Sequence, residues 1–202
     1  GYAKENGGAI AISGAGSSLN IYGGTITGGE ARYSGGNIYI PAGKFTMYGG
    51  TIENGKSAEA TGGNIAFGTA GTIYGGTITG GTAATYGDDI SWLDNDASTV
   101  TLDGAFGTLN VGGYSKGGLK LTENFSAEKI TVENSTNYGI VVKEFKDEAQ
   151  LACFEAKNET EEVLVCNGKV YLVKPDDGKH YACFCGGAYA SYHKNVGHTA
   201  CT

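Results

Sequence analysis

The five-residue sequence Tyr-Gly-Gly-Thr-Ile occurs at residues 22–26, 48–52 and 74–78, so that it repeats with a period of twenty-six residues. A period of this length is too long for one strand and too short for a domain. It therefore predicts one structural unit that stacks on its neighbours. No carboxylate, histidine, cysteine or lysine occupies a fixed position in the phrase, so the repeat specifies an architecture and carries no chemistry of its own.

A second phrase recurs between these copies. It reads Gly-Gly-Asn-Ile-Tyr-Ile at residues 35–40, Gly-Gly-Asn-Ile-Ala-Phe at residues 62–67 and, in a degenerate copy, Gly-Asp-Asp-Ile-Ser-Trp at residues 87–92. Each copy is a turn followed by alternating apolar residues, which is the pattern of a half-buried strand. A second strand follows at residues 19–21 and 45–47, and a third at each Thr-Ile-Thr or Thr-Ile-Glu.

Three short strands per coil of about 26 residues predict an all-β, parallel β-helix. The expected hand is right-handed, as for parallel crossover connections in general. Equivalent residues of successive coils should stack at about 4.8 Å. The stacking predicts an aromatic ladder of Tyr22, Tyr48 and Tyr74 and an inward aliphatic ladder of Ile26, Ile52 and Ile78.

The strict repeat fades from about residue 94, although alternating strands continue about every ten residues and predict further coils with shorter turns. Residues 144–156 have the spacing of one short helix. The Asn167-Gly168 dipeptide predicts a hairpin that caps the open end of the solenoid. A turn at residues 175–178 divides the chain into a β-helix, residues 1–174, and a Cys/His tail, residues 175–202.

Composition limits the classes of partner. The chain has 202 residues, 36 glycines and a net charge of −7. We expect no nucleic-acid partner, because phosphate binding needs clusters of Lys and Arg. No run of 18 apolar residues occurs, so no membrane insertion is predicted. Gly1 leads at once into repeat material, which indicates a piece of a longer chain. We also expect the chain to be a monomer.

The repeat resembles a known class of protein. Residues 35–40, followed by Phe-Thr-Met-Tyr-Gly-Gly-Thr-Ile at residues 45–52, are similar to the repeat of large secreted or wall-attached, adhesin-like β-helix proteins of Firmicutes. The resemblance covers residues 7–92 and extends loosely to about residue 173. It implies an extracellular location, adhesion to a host or environmental glycan or protein surface, and no catalytic residues. The tail resembles the short Cys/His modules that follow such repeats.

The tail contains the sharpest chemical signal. Cys183, Cys185, His198 and Cys201 could give Zn²⁺ three thiolates and one imidazole, a closed structural set, with His180 as a competing ligand. A segment with so little apolar content needs such a staple to hold a fold. Disulfides involving Cys201 are the rival interpretation, and free thiols are the third.

The chain has five cysteines, so they cannot all pair with one another. Cys153 and Cys166 flank a turn-rich segment, and a bridge between them is left open.

Acidic residues offer a second candidate. Asp88 and Asp89, with Asp94 and Asp96, could bind Ca²⁺ on one face, as in polysaccharide lyases built on this fold. The favoured alternative is structural, because Asp89 occupies the position of Asn37 and Asn64 and Asp88 that of a glycine. A lyase would also need a Lys or Arg base, and residues 85–115 contain neither.

Two surface arrays complete the candidates. The aromatic ladder, together with Tyr39 and Trp92, could form a platform for sugar rings, but a stacked ladder that stabilises the corner is favoured. The pairs Thr25 with Thr27 and Thr77 with Thr79 could form an ice-binding array. Glu53 interrupts that array, and sheet threonines usually reflect β-propensity alone.

The sequence therefore predicts a non-enzymatic segment of a bacterial extracellular surface protein, secreted or cell-wall attached, that acts as a β-helical stalk or adhesion module. The alternatives are a carbohydrate-active enzyme, either a polysaccharide lyase or a glycoside hydrolase, and a glycan-binding module. A structural zinc ion in the tail is the one cofactor predicted.

Overall fold

A computed structural model describes residues 1–93, 97–114, 116–134, 138–166, 168–173, 180–183 and 190–194. The chain forms a parallel β-solenoid of about six turns with coils of about 26 residues, and the residues described contain nearly no helix. The predicted all-β parallel β-helix is thus confirmed.

The strands are short, and most of them span two to four residues. In chain order they are β1 (Tyr2–Ala3), β2 (Ile10–Ala11), β3 (Ser18–Ile21), β4 (Thr25–Thr27), β5 (Glu30–Ala31), β6 (Ile38–Ile40), β7 (Lys44–Met47), β8 (Thr51–Glu53), β9 (Lys56–Ser57), β10 (Ile65–Phe67), β11 (Gly71–Ile73), β12 (Thr77–Thr79), β13 (Thr82–Ala83), β14 (Ile90–Trp92), β15 (Thr99–Leu102), β16 (Ala105–Gly113), β17 (Gly118–Leu121), β18 (Ser126–Asn134), β19 (Tyr138–Glu144), β20 (Phe154–Ala156), β21 (Glu162–Cys166), β22 (Lys169–Val173), β23 (His180–Cys183) and β24 (Ala190–Lys194).

Stacked coils place these strands in four sheets. Sheet I has the order β2-β6-β10-β14-β16-β18-β20, and sheet II has the order β3-β7-β11-β15-β17-β19-β22-β21. Sheet III is β4-β8-β12, and sheet IV is β1-β5-β9-β13. The coil-to-coil pairs are parallel, as in the pairing of Ile38 with Ile65 and of Ile65 with Ile90. Strands β23 and β24 form a separate antiparallel pair.

The early coils have four strands each and not the three that the sequence predicted. The additional strands are those of sheet IV, which contain two residues each. Two residues are too few to show an alternating pattern, so these strands could not be predicted from the repeat. Strands β5, β9 and β13 follow corners at Gly28-Gly29, Asn54-Gly55 and Gly80-Gly81, respectively. Asn54 adopts a φ of 54°, close to the 65° of Gly28 and Gly80, and asparagine tolerates this conformation better than most residues.

One continuous core runs through the coils. Ile38, Ile65 and Ile90 stack in it with no exposed surface. The predicted aliphatic ladder is also present, with Ile52 and Ile78 buried and Ile26 partly buried at the start of the solenoid. Burial of each such side chain contributes about 1.5–3 kcal/mol.

The coil changes shape after β14. In sheet I, 27 residues separate Ile38 from its partner Ile65, whereas 21 residues separate Ile90 from its partner Val111. Sheets III and IV end at β12 and β13. In their place β16 and β18 run as single strands of 9 residues each, which lead into sheet I. The later coils therefore have two strands each, one in sheet I and one in sheet II.

The C-terminal predictions on the described residues hold. A short 3₁₀ helix, Glu148–Cys153, begins at Asp147, whose carboxylate accepts a hydrogen bond from the Ala149 amide at 2.9 Å. Strands β21 and β22 form the predicted hairpin. Strand β22 also pairs antiparallel with β19, so the hairpin covers the last parallel strand of sheet II.

Candidate functional site

The degenerate phrase at residues 87–89 lies where the four-strand coils end, and it is the centre of a cluster of hydrogen-bonded and charged side chains. The cluster lies at the end of a buried ladder of hydrogen-bonded side chains, which we call the amide ladder. Asn37 Nδ2 donates to Asn64 Oδ1 at 2.8 Å, and Asn64 Nδ2 donates to Asp89 Oδ1 at 3.0 Å. Each member also accepts a hydrogen bond from a corner glycine amide, namely Gly29, Gly55 and Gly81, respectively.

The third residue of the ladder is an aspartate and not an asparagine, because the next group along the ladder is a hydrogen-bond donor. Asn37 and Asn64 each donate to a backbone carbonyl in the same coil, those of Glu53 and Thr79. Asp89 instead accepts from the Asn110 amide at 2.9 Å through Oδ2. A carboxylate offers acceptors only, whereas the amide of asparagine would present N–H groups to that donor. Asp89 therefore terminates the ladder.

Asp88 replaces a glycine for a related reason. In the equivalent position, a Cβ on Gly36 would lie 2.2 Å from the Lys56 amide nitrogen, and one on Gly63 would lie 2.3 Å from that of Thr82. Lys56 and Thr82 belong to strands of sheet IV. The stacked turns contribute equally close contacts, because the Cβ on Gly36 would lie 2.1 Å from the Gly63 carbonyl oxygen and the one on Gly63 would lie 2.3 Å from the Asp88 carbonyl oxygen. No described strand continues sheet IV beyond β13, so a side chain fits at residue 88. Asp88 Oδ1 accepts from the Ala83 amide at 2.8 Å.

Two residues from later coils complete the cluster. Lys157 Nζ lies 2.9 Å from Asp88 Oδ2 and 2.9 Å from Glu133 Oε1. Glu133 Oε1 also accepts from the Gly87 amide at 2.9 Å. Glu133 reaches back toward Gly87 across Gly112, where a Cβ would lie 2.9 Å from its Cγ. We call Asp88, Glu133 and Lys157 the junction triad.

Burial is the largest single effect on the pKa of each of Asp89, Glu133 and Lys157. Desolvation raises the pKa of Asp89, and the hydrogen bonds from Asn110, Gly81 and Asn64 offset this only in part. Desolvation likewise raises the pKa of Glu133 against the opposing effect of Lys157. Burial disfavours the Lys157 ammonium, but hydrogen bonds to Asp88 and Glu133 outweigh it, so the pKa of Lys157 is raised.

This arrangement holds coils together and leaves little chemistry free. A lysine that acts as a base needs a lowered pKa, and the pKa of Lys157 is raised. Asp89 accepts three hydrogen bonds from within the chain. Within the described residues, no group of three or more His, Cys, Asp or Glu is placed to hold a metal ion.

The acidic candidates are therefore only partly brought together. Asp88 and Asp89 lie in one cluster, as the sequence suggested, whereas Asp94 and Asp96 fall outside the described residues. Sequence reasoning missed Glu133 and Lys157, because it searched for a basic residue among nearby positions. The signal that could have found them is the register between coils. Ile90, Val111, Val132 and Ala156 occupy equivalent positions in successive coils. Lys157 is therefore the cross-strand neighbour of Glu133.

The predicted aromatic ladder is present. The rings of Tyr22 and Tyr48 stack at 4.9 Å between centroids, and those of Tyr48 and Tyr74 stack at 5.2 Å. The three residues remain 74%, 49% and 45% exposed, so the ladder lies on the surface. Both faces of the Tyr48 ring are covered by its neighbours, and Tyr22 and Tyr74 each have one face covered by Tyr48. A sugar platform needs free faces, so the stacked interpretation is favoured.

Trp92 does not belong to this surface. It is fully buried, and its Nε1 donates to the Tyr114 carbonyl at 2.9 Å, so it cannot belong to the sugar platform that was the alternative interpretation. Its apolar bulk fills the core where the coil narrows. Tyr39 is half-buried, and burial raises its pKa.

The threonine array is interrupted as expected. Thr25, Thr51 and Thr77 are in register, but Glu53 lies between Thr27 and Thr79 in the second row. A flat and uniform hydroxyl surface is thus confined to one row.

The zinc prediction lies mostly beyond the described part of the chain. Cys185, His198 and Cys201 are outside it, and the structure describes only that His180 and Cys183 begin and end β23. The metal site therefore stays a prediction.

Cys153 carries a free thiol, so the bridge to Cys166 that was left open is not formed. Its Sγ lies 3.3 Å from the Gln150 carbonyl oxygen, and burial raises the pKa of the thiol.

Comparison with known proteins adds no relative. Protein-family models, curated proteins and solved structures gave no match to the chain. In the described part of the chain, no helix has the length and apolar character needed to cross a membrane.

Proposed function

We propose that this chain is a non-enzymatic, β-helical segment of a bacterial extracellular surface protein, and that it acts as a stalk or adhesion module. Its mechanism is display: stacked coils form a stiff body, and their turns present a surface to a glycan or protein partner. The extracellular location and the Firmicutes-type adhesin comparison come from the sequence resemblance and belong to this proposal.

One observation carries the proposal. The side chains that recur in equivalent slots bind one another from coil to coil. The amide ladder joins Asn37, Asn64 and Asp89, and the tyrosine ladder joins successive Tyr-Gly-Gly corners. Repeated residues are thus used for cohesion along the solenoid axis. Such a distribution supports a mechanical or presenting role over a catalytic one, because catalysis needs groups that converge on a substrate.

The carbohydrate-active enzyme is kept as a second candidate because of the junction triad. Two carboxylates and a lysine meet there, which is the combination that a lyase would use. The raised pKa of Lys157 argues against a role as base.

The test separates binding from turnover. The purified chain is incubated with a panel of acidic and neutral polysaccharides, and both retention and new sugar ends are measured. We expect no new sugar ends with any substrate. Product formation by the unaltered chain that is lost in Lys157→Met would overturn the proposal in favour of the enzyme. Retention without product would support adhesion, and retention of none would support a stalk.

A further inference from the structure

We propose that the junction triad is a site of covalent cross-linking, in which the Lys157 amine condenses with the Asp88 carboxyl group to form an amide between the two side chains. This inference is independent of the proposed function. It starts from one geometric fact: a single amine nitrogen lies 2.9 Å from an oxygen of each of two carboxyl groups that come from different coils.

The surroundings hold the reacting groups in place. Lys157 follows β20, and its amide donates to the Val132 carbonyl at 2.9 Å. Asp88 lies in the turn after Gly87, whose φ is +64°. Permanent proximity of this kind replaces a bimolecular encounter by an internal reaction, which can supply a large part of the barrier.

The two carboxyl groups have different environments and hence different roles. The side chain of Glu133 is 10% exposed, whereas that of Asp88 is 23% exposed. Glu133 is the proton relay, because it is the more buried of the two carboxyl groups and its Oε1 lies 2.9 Å from Lys157 Nζ. Asp88 is the electrophile, because the Ala83 amide donates to its Oδ1 at 2.8 Å and would stabilise negative charge that develops there during attack.

The atoms balance without an oxidant or co-reactant. Glu133 accepts a proton from the Lys157 ammonium and passes it to an oxygen of Asp88, so that a neutral amine faces a neutral carboxylic acid. Nζ then attacks Cγ of Asp88. Glu133 carries a second proton from Nζ to the hydroxyl oxygen on Cγ, and the C–O bond breaks as the new C–N bond is retained. Nζ has then lost two protons and Cγ has lost one oxygen, which leave together as water. Glu133 ends in its starting state.

The resting state is the ion pair, which makes the condensation slow but does not prevent it. The ammonium must lose its proton before it can attack, so each molecule reacts slowly. One turnover per molecule is sufficient, because the product is a permanent bond. That bond would join residues 69 positions apart and tie the two-strand coils to the last four-strand coil.

The test is the mass of the denatured, purified full chain, because denaturation removes any ion pair and leaves a covalent bond. We expect the chain to be lighter than its sequence mass by one water. Peptide mapping should yield a branched peptide that joins Asp88 to Lys157. The unaltered mass would overturn the proposal. A loss of water mapped to another pair, or to an Asp-Gly dipeptide such as residues 103–104, would overturn it as well.

Three variants sharpen the test. Lys157→Arg keeps the cation and the ion pair but is not a nucleophile, so it should fold and keep its full mass. Glu133→Gln removes the relay and should slow or abolish the loss of water. Asp88→Asn should lose ammonia in place of water and give a product with the same mass as the cross-linked natural chain. A circular dichroism spectrum of Lys157→Arg checks that the chain has folded.

Discussion

The four-strand coils before Trp92 and the two-strand coils after it use the same stacking of apolar residues, but they hold their edges differently. In the four-strand coils, glycine corners bring strands close and a buried amide ladder binds their turns. The two-strand coils replace three sides by one long strand. In the described residues they do not continue the amide ladder, but they keep close backbone contacts at glycines such as Gly112 and Gly113. The difference teaches that polar side chains in this solenoid follow its corners, and that a change of residue in the ladder marks a change of coil shape.

The largest expected effect comes from Asn64→Asp, which breaks the ladder in the four-strand region. The aspartate could not donate to the Thr79 carbonyl or to Asp89, and it would bury a second carboxylate beside Asp89. An uncompensated buried charge costs about 3–5 kcal/mol. Chemical denaturation at neutral pH measures the loss. Asn20→Asp on an exposed position is the control, with a change within about 0.5 kcal/mol. Equal losses in both variants would refute the role of the ladder.

The next effect separates the two glycines of one corner. Gly50 has a φ of +98°, and a Cβ there would lie 2.8 Å from the Gly24 carbonyl oxygen. Gly50→Ala should therefore lose about 2–3 kcal/mol of unfolding free energy. Gly49 has ordinary contact distances, with 3.4 Å to the Tyr22 carbonyl oxygen, so Gly49→Ala should change stability by about 0.5 kcal/mol or less. We expect a lower thermal midpoint for Gly50→Ala than for Gly49→Ala, and the opposite order would contradict the corner geometry.

Asp89→Asn tests the end of the ladder. Its amide would face the Asn110 N–H, and an unpaired buried donor costs about 1–3 kcal/mol. Because burial raises the pKa of Asp89, its contribution to stability is full below the unfolded pKa and is lost as pH rises through the folded pKa. The stability gap between the natural chain and Asp89→Asn should therefore narrow as pH rises above about 4.

Asp103→Asn provides the control with the opposite sign. Hydrogen bonds from Thr122 and Asn124 lower the pKa of Asp103, so its contribution is present above the unfolded pKa and is lost as pH falls. The gap for this variant should widen as pH rises. If the stability gaps of the two variants changed with pH in the same direction, burial would not be what sets the pKa of Asp89.

The smallest expected effect is that of Tyr48→Ala. It removes the central ring of the ladder and both stacked pairs, each of which contributes about 0.5–1.5 kcal/mol beyond burial. Because the rings are about half exposed, we expect a loss of about 1–2 kcal/mol and no change in retention on any glycan. Tyr2→Ala, on an exposed ring outside the ladder, serves as the comparison. Loss of glycan retention with unchanged stability would favour the sugar platform.

The repeat phrases were sufficient to predict the parallel coils and the tyrosine and isoleucine ladders, and the Asn167-Gly168 dipeptide was sufficient to predict the capping hairpin. Each of these depends on residues that recur at one period or on a two-residue turn signal. The strands of sheet IV escaped prediction because two residues carry no periodicity. The junction triad escaped because Asp88, Glu133 and Lys157 are joined only by stacking registers, and the later coils lack the phrases that would reveal them. Trp92 was misplaced because an aromatic residue in a degenerate copy suits both a surface and a core.

Amide hydrogen exchange at Gly29, Gly55 and Gly81 tests the central claim most directly. These glycines lie at corners, and their amides are held by the side chains of Asn37, Asn64 and Asp89 at 2.8, 2.9 and 3.1 Å. If the buried ladder organises the four-strand coils, all three amides should exchange as slowly as those of the core residues Ile38 and Ile65. Rapid exchange at the three corners, with Ile38 and Ile65 still protected, would contradict the account.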